Sequence, residues 1–241
     1  MILMMTGAIM SRKSQKQWQP AHIKGANAQW DPLSGLGPFS AAWALEHRAL
    51  FLTTKIKSED TMEEDEMTPG IGGLISVLRM LDATDPGKPI TFYINSPGGD
   101  IHAGLALIQT MRDLRSPVHT FVLQHAASMA AVVAVAGAKR LAFPTSRWLL
   151  HRGKDWGGEG DYEDIGIKAR ELRIVDKTAD RVLLNFTKIK EEQLESMQRK
   201  DYWLGVRDAL RWGMIDSVVM PRQGPSELKA WLPKPGGGSH E

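Results

Sequence analysis

The sequence predicts an α/β fold, and three stretches predict it. Phe92-Tyr93-Ile94 is a short apolar run suited to a buried strand. It ends in Pro97-Gly98-Gly99, where the backbone can turn tightly with no Cβ in the way. Leu74, Leu78 and Leu81 recur at helical spacing before that run, and Leu107, Ile108, Met111 and Leu114 do so after it. Val118 to Leu123 then reads as a further strand, followed by small apolar residues from Ala126 to Ala138 that suit a helix buried on all sides. Strands that alternate with helices specify a sheet with helices packed on it.

Each element can be justified in order. Residues 1 to about 40 mix Gly, Pro, Asn, Ser and Gln with isolated Trp18, Trp30 and Phe39, and residues 1–43 read as an irregular arm. Ala49-Leu50-Phe51-Leu52 resembles a first strand. Six acids between Glu59 and Glu66 read as a solvated helix start rather than a cation site. The helix over Ile71 to Leu81 should pack one face on the sheet, and the helix after the Pro-Gly-Gly turn should close near Ser116-Pro117. Arg140 to Phe143 and Arg147 to Leu150 read as two short strands. Gly153, Gly157, Gly158 and Gly160 form a glycine-rich loop without a Gly-Lys-Ser/Thr phosphate signature, so flexibility explains it better than nucleotide binding. A long helical pattern follows, with Ile165, Ala169, Leu172, Ala179, Val182 and Phe186 on one stripe; it either projects from the body or lies across the core. Glu191 to Met197 is a short helix, Asp201 to Leu204 is extended, and Val206 to Trp212 is helical and ended by Gly213. Ile215 to Met220 is a last strand, and residues 221–241, rich in Pro and Gly, read as a flexible tail.

Composition excludes several classes of function. With 241 residues, 42% hydrophobic and 24% charged, the chain suits one well-cored domain with extensions. A net charge of +2 gives no case for a nucleic-acid or membrane-surface partner. There is no cysteine, which removes thiol catalysis, disulfides and cysteine metal sites. No apolar run reaches the length of a membrane span. Met1 to Met10 is apolar but precedes Arg12 and Lys13, whereas a secretory signal carries its positive charge first; a cytoplasmic location is the default expectation.

Three pieces point to acyl transfer. Ser128 stands between small residues at a helix start, where backbone N–H groups can face an anion. His151 closes the apolar run Trp148-Leu149-Leu150. A nucleophile, a base and an oxyanion-binding backbone are what such chemistry needs. A serine among alanines is as a rule a packed small residue, and His151 is one of seven histidines. What singles out the two is that each opens or closes a regular element beside an apolar core. Asp201 could be a third member, but spacing does not choose it from so many acids.

Four separated segments carry a resemblance. They are Tyr93-Ile94-Asn95-Ser96-Pro97-Gly98-Gly99, Gln124-His125-Ala126-Ala127-Ser128-Met129, Leu149-Leu150-His151 and Gly213-Met214-Ile215-Asp216-Ser217. From about Ala44 to Val219 their order and separations resemble the proteolytic subunit of the Clp protease. The resemblance implies a crotonase-like fold of repeated ββα units in a peptidase domain over residues 44–220, with the long helix as a projecting handle over about 155–187. It places the nucleophile on Ser128, the general base on His151, the acid on Asp201 and the oxyanion donors on the backbone N–H groups of Gly99 and Met129. It implies a serine endopeptidase acting on peptides and unfolded proteins in protein quality control, needing no metal or organic cofactor. Its partners would be an AAA+ unfoldase and further subunits, in heptameric rings that stack into a double-ring tetradecamer, with room for a second subunit type. Ala130 stands where the family usually has Gly, Arg152-Gly153 where it has Gln-Pro, and Lys200 where it commonly has an arginine that pairs between rings. Two other readings are a non-catalytic ring subunit and a crotonase-like acyl-CoA enzyme. The first normally lacks a triad residue, and the second has no need of Ser128 and His151 together.

Overall fold

In the computed structural model, residues 43–57, 70–153 and 161–232 are described. The arm, the acid cluster, most of the glycine-rich loop and the end of the tail lie outside them. The elements follow in the order β1 (Ala49–Leu52), α1 (Ile71–Thr84), β2 (Ile90–Ser96), α2 (Ile101–Asp113), β3 (Val118–Ala127), α3 (Met129–Val135), β4 (Lys139–Ala142), β5 (Arg147–Leu150), α4 (Tyr162–Phe186), α5 (Glu191–Met197), β6 (Tyr202–Gly205), α6 (Val206–Arg211) and β7 (Ser217–Val218). The expected α/β architecture is found.

The sheet runs β1-β2-β3-β4-β7 with parallel neighbours. Leu50, Leu52, Phe92, Ile94 and Val122 are buried, as are Leu74, Leu78 and Leu81 of α1 and Leu107, Ile108 and Met111 of α2, and all belong to one hydrophobic core. The α1 and α2 stripes are therefore the ones the leucine spacing predicts. On the opposite face the register aligns Phe51, Tyr93 and Phe121, whose rings contact one another in sequence at 5.0 and 5.5 Å.

β3 decides where the site forms. Between Ile94↔Val122 and Ser96↔Ala126 the register slips, so β3 bulges at residues 123–125. Asn95 Oδ1 accepts the His125 N–H at 3.2 Å, and Ser146 Oγ donates to the carbonyls of Val122 and Leu123, which holds the bulge. Beyond it, β3 leaves β4 and pairs with β5 through Ala126↔Trp148 and Ala127↔Leu149. Ala126 and Ala127 are thus strand rather than helix, and the buried helix expected over Ala126 to Ala138 is shortened to α3, whose seven residues are all buried. The last strand is also shorter than the predicted Ile215 to Met220. The Met214 and Ile215 N–H groups both donate to the Ala209 carbonyl and close α6 before pairing begins.

In α4, Asp161 caps the start by accepting the Glu163 and Asp164 N–H groups. Only Val175, Ala179 and Leu183 are fully buried, all in its second half, whereas Tyr162, Ile165, Ile167 and Ile174 are exposed. The helix is anchored by its C-terminal half and projects with the other. Arg140 fixes the anchored end by donating to the carbonyls of Phe186 and Gly213 (2.6 Å to the latter), while pairing with Asp216 at 2.5 and 3.2 Å. That guanidinium holds the Asp216 carboxyl below its ordinary range. Residues 221–232, read from sequence as the start of a tail, contain a 3₁₀ turn at Leu228–Ala230. Leu228 and Leu232 pack against the core, and Trp231 Nε1 donates to the Pro225 carbonyl.

Candidate active site

Two tight turns and two strand ends build the site. The first turn leaves β2. Gly98 and Gly99 have φ of 89° and 147°, backbone that a side chain rarely adopts. Space excludes a side chain as well: a Cβ on Gly98 would lie 2.5 Å from the Ala127 carbonyl oxygen, 2.8 Å from Ser128 Cβ and 2.9 Å from Met129 N. A Cβ on Gly99 would lie 2.1 Å from the Ile56 carbonyl oxygen. Ser96 Oγ ties the turn down, donating to Thr54 at 2.6 Å and accepting the Gly98 N–H. A bridge to Ile56 uses the Gly98 carbonyl and the Asp100 N–H, which leaves the Gly99 N–H outside that pairing. Asp100 then caps α2 by accepting the Ala103 N–H at 2.8 Å.

The second turn joins β3 to α3 at Ser128. Its φ of 54° and ψ of −128° make it one of two described non-glycine residues with positive φ, a conformation that costs on the order of 1–3 kcal/mol and persists only where neighbours enforce it. The neighbours are the Leu149 carbonyl, which accepts the Ser128 N–H at 2.9 Å, and the Ala131 N–H, which donates to the Ser128 carbonyl at 2.9 Å. The Met129 N–H begins α3, where intrahelical partners for donors run out.

His151 follows β5, and Asp201 precedes β6. These strands are antiparallel with Leu150 opposite Tyr202, so one further step sets His151 across from Asp201. The distance from His151 Nδ1 to Asp201 Oδ1 is 4.0 Å, a Coulombic contact and not a hydrogen bond. Nδ1 is buried without a hydrogen-bond partner, while the Asp201 side chain is 52% exposed. Catalytic hydrogen bonds are often long before substrate binds.

Ser128, Met129 and His151 line one cavity. Its wall also contains Asp176, Asp180 and Gln198, which the sequence reading did not assign to the site. Asp176 Oδ1 accepts the Gly153 N–H at 3.1 Å. Asp180 accepts Gln198 Nε2 at 2.7 Å and Arg152 Nη1 at 3.4 Å. Burial, aided by the like charge of Asp180, pushes the Asp176 carboxyl up, against the pull of the Gly153 N–H, Arg152 and His151. One signal existed: two acids four residues apart flank Ala179 within the helix stripe that reaches the core.

The geometry gathers Ser128, Met129 and His151 around one cavity at the forked end of the sheet, with Asp201 beside the imidazole. Comparison with known proteins gives the lineage. The profile of the Clp protease family matches residues 41–222. A relative from Bacteroides thetaiotaomicron is 37% identical over 73% of this chain and 76% of its own length. One from Bacteroides fragilis is 37% identical over 73% of this chain and 80% of its own. One from Deinococcus radiodurans is 32% identical over 73% and 81%. Each is named an ATP-dependent Clp protease proteolytic subunit. The chain belongs to the Clp protease family. No helix among the described residues is long and apolar enough to cross a membrane.

Proposed function

We propose that this chain is the proteolytic subunit of an ATP-dependent Clp protease and that it cleaves peptide bonds through Ser128. The observation that carries this reading is the strained Ser128, fixed between the Gly98 turn and the β5 carbonyl and opening onto the cavity that His151 also lines. Ser128 Oγ attacks the peptide carbonyl while His151 takes its proton. Asp201, on the Nδ1 side of the ring, orients the imidazole and stabilises its charged form. The Gly99 and Met129 N–H groups receive the developing oxyanion, where one such donor is typically worth on the order of 3 kcal/mol of barrier. His151 returns the proton to the leaving amine, and water then releases the acyl group from Ser128 by the same path in reverse.

A separate AAA+ unfoldase supplies the ATP-driven step and delivers unfolded polypeptide. The subunits form heptameric rings stacked as a cytoplasmic double ring, with the projecting half of α4 as the element available to join the rings. The exposed Ile165, Ile167 and Ile174 favour that role, since apolar side chains on a projecting helix are stabilised once further copies cover them. Labelling of the purified protein with a fluorophosphonate tests the chemistry, and sedimentation of the same sample tests the assembly. A single adduct on Ser128 in a particle of ring size is expected. A label on another serine, or an active monomer, contradicts it.

A further inference from the structure

The cavity beside Ser128 has two kinds of wall. Val132, Leu150 and Leu183 are buried and apolar. Opposed to them in character are Asp176, Asp180 and Gln198, whose groups facing the cavity are rich in acceptors. Gln198 is 8% exposed, and its amide orientation follows from its partner: a carboxylate oxygen of Asp180 at 2.7 Å can only accept, so the NH₂ group faces it. That leaves Gln198 Oε1, a buried acceptor, with no hydrogen-bond partner. Native structures rarely leave such an atom unmatched, and an absent donor is one explanation when they do. Asp176 accepts one backbone N–H and feels the more distant charges of Arg152 and His151, but among the described residues no lysine, arginine or histidine nitrogen stands within 4.0 Å of it. Asp180 is already engaged by Gln198 and Arg152.

A pocket of this kind matches a long side chain with an apolar stem and a cationic, donor-only head. The residue whose carbonyl meets Ser128 places its side chain in the space next to the nucleophile. We propose that this cavity selects lysine or arginine on the acyl side of the scissile bond, with Asp176 as the charge partner and Gln198 Oε1 as a second acceptor. This rests on the reading of Ser128 as the nucleophile. The selection works from both directions. A cationic head gains a charge-assisted hydrogen bond. A leucine or methionine side chain would instead exclude water from Asp176 while offering it nothing, and buried groups left unmatched are how sites reject a close analogue.

The test uses the full-length protein and peptidyl aryl phosphonates that differ in one side chain: lysine, arginine, leucine or norleucine. A fluorophosphonate without a side chain serves as the reference. The rate of Ser128 modification is read by mass spectrometry. The lysine or the arginine probe is expected to react roughly 10- to 100-fold faster than the norleucine probe. Asp176→Asn is expected to bring that ratio towards one, chiefly by slowing the cationic probes, and Asp176→Glu to restore part of it. A structural role would slow all probes in proportion and leave the ratio unchanged, which overturns the proposal. So does a wild-type preference for leucine or norleucine, a comparison that stands even if the variants do not fold. If the fluorophosphonate labels Ser128 but the cationic probes gain nothing, the selectivity proposal alone fails. If Ser128 is not labelled at all, the peptidase reading fails and this one with it.

Discussion

Ser128 and Asp201 are held in opposite ways around His151. Ser128 has a backbone that neighbours on two sides enforce: Gly98 packs against it from β2, and the Leu149 carbonyl takes its N–H from β5. Asp201 is half exposed, 4.0 Å from the imidazole, on the turn that enters a four-residue strand. The contrast shows where this fold invests its rigidity. Ser128 sits where three strands and a buried helix meet, so its position follows from the core. Asp201 sits one step beyond the last pairing of a peripheral antiparallel ladder, Leu150 with Tyr202, and half of its side chain is exposed.

Removing the proposed nucleophile should break the comparison most completely. Ser128→Ala is expected to reduce peptide hydrolysis by on the order of 10⁶-fold, the scale seen when the nucleophile of a triad is deleted. The fold should survive, because the alanine keeps the Cβ and the backbone bonds. Circular dichroism and a peptide turnover assay on the same sample decide this, and residual turnover above about one part in a thousand would point to another nucleophile. Asp201→Asn is expected to cost less, roughly 10⁴-fold, through loss of the tautomer and of the charge beside the imidazolium. A near-normal rate in that variant would move the role to another acid, with Asp176 the first to examine because its carboxylate also feels the His151 charge.

The rigid side can be tested through its packing. Gly98→Ala places a methyl carbon 2.5 Å from the Ala127 carbonyl oxygen at a φ of 89°, so both sterics and backbone oppose it. A loss of about 2–4 kcal/mol of stability is expected from strain plus overpacking. Denaturant midpoints compared at one protomer concentration check it. A loss under about 0.5 kcal/mol would mean that the β2 turn is free to retreat from Ser128.

These differences also explain what could be read from the chain. The leucines of α1 and α2, the strands at β1, β2 and β5, and the positions of Ser128 and His151 follow from local pattern. The boundary between β3 and α3 does not. Ala126, Ala127, Ala130 and Ala131 have no periodicity to distinguish strand from helix, and what decides is the pairing of Ala126 and Ala127 with β5, a long-range event. Asp201 follows from the family resemblance and not from local pattern, because its place depends on an antiparallel register that spacing cannot give. Asp176 on α4 and Gln198, the residue that caps the end of α5, lie 22 residues apart, and nothing local says that they share a cavity with Ser128.

The smallest expected effect concerns stability at Asp176 and has a definite sign. Burial raises the folded-state pKa of this carboxyl above its unfolded value, and Asp180 adds to the shift. The native state therefore holds the proton more tightly than the unfolded chain does. Any stability linked to that proton is fully present below the unfolded pKa, near 3.9, and is lost as pH rises through the folded pKa. At neutral pH the ionised Asp176 then costs the fold something that an amide would not, while the amide oxygen can still accept the Gly153 N–H. Asp176→Asn is expected to be more stable than the wild type at pH 7, by about 1 kcal/mol or less because the group is partly solvated. The gap should shrink as pH falls towards 4. Urea midpoints measured across that range give the sign directly. A variant less stable than the wild type at pH 7 would mean that the attraction to Arg152 and His151 outweighs burial, so that Asp176 serves the fold rather than the substrate.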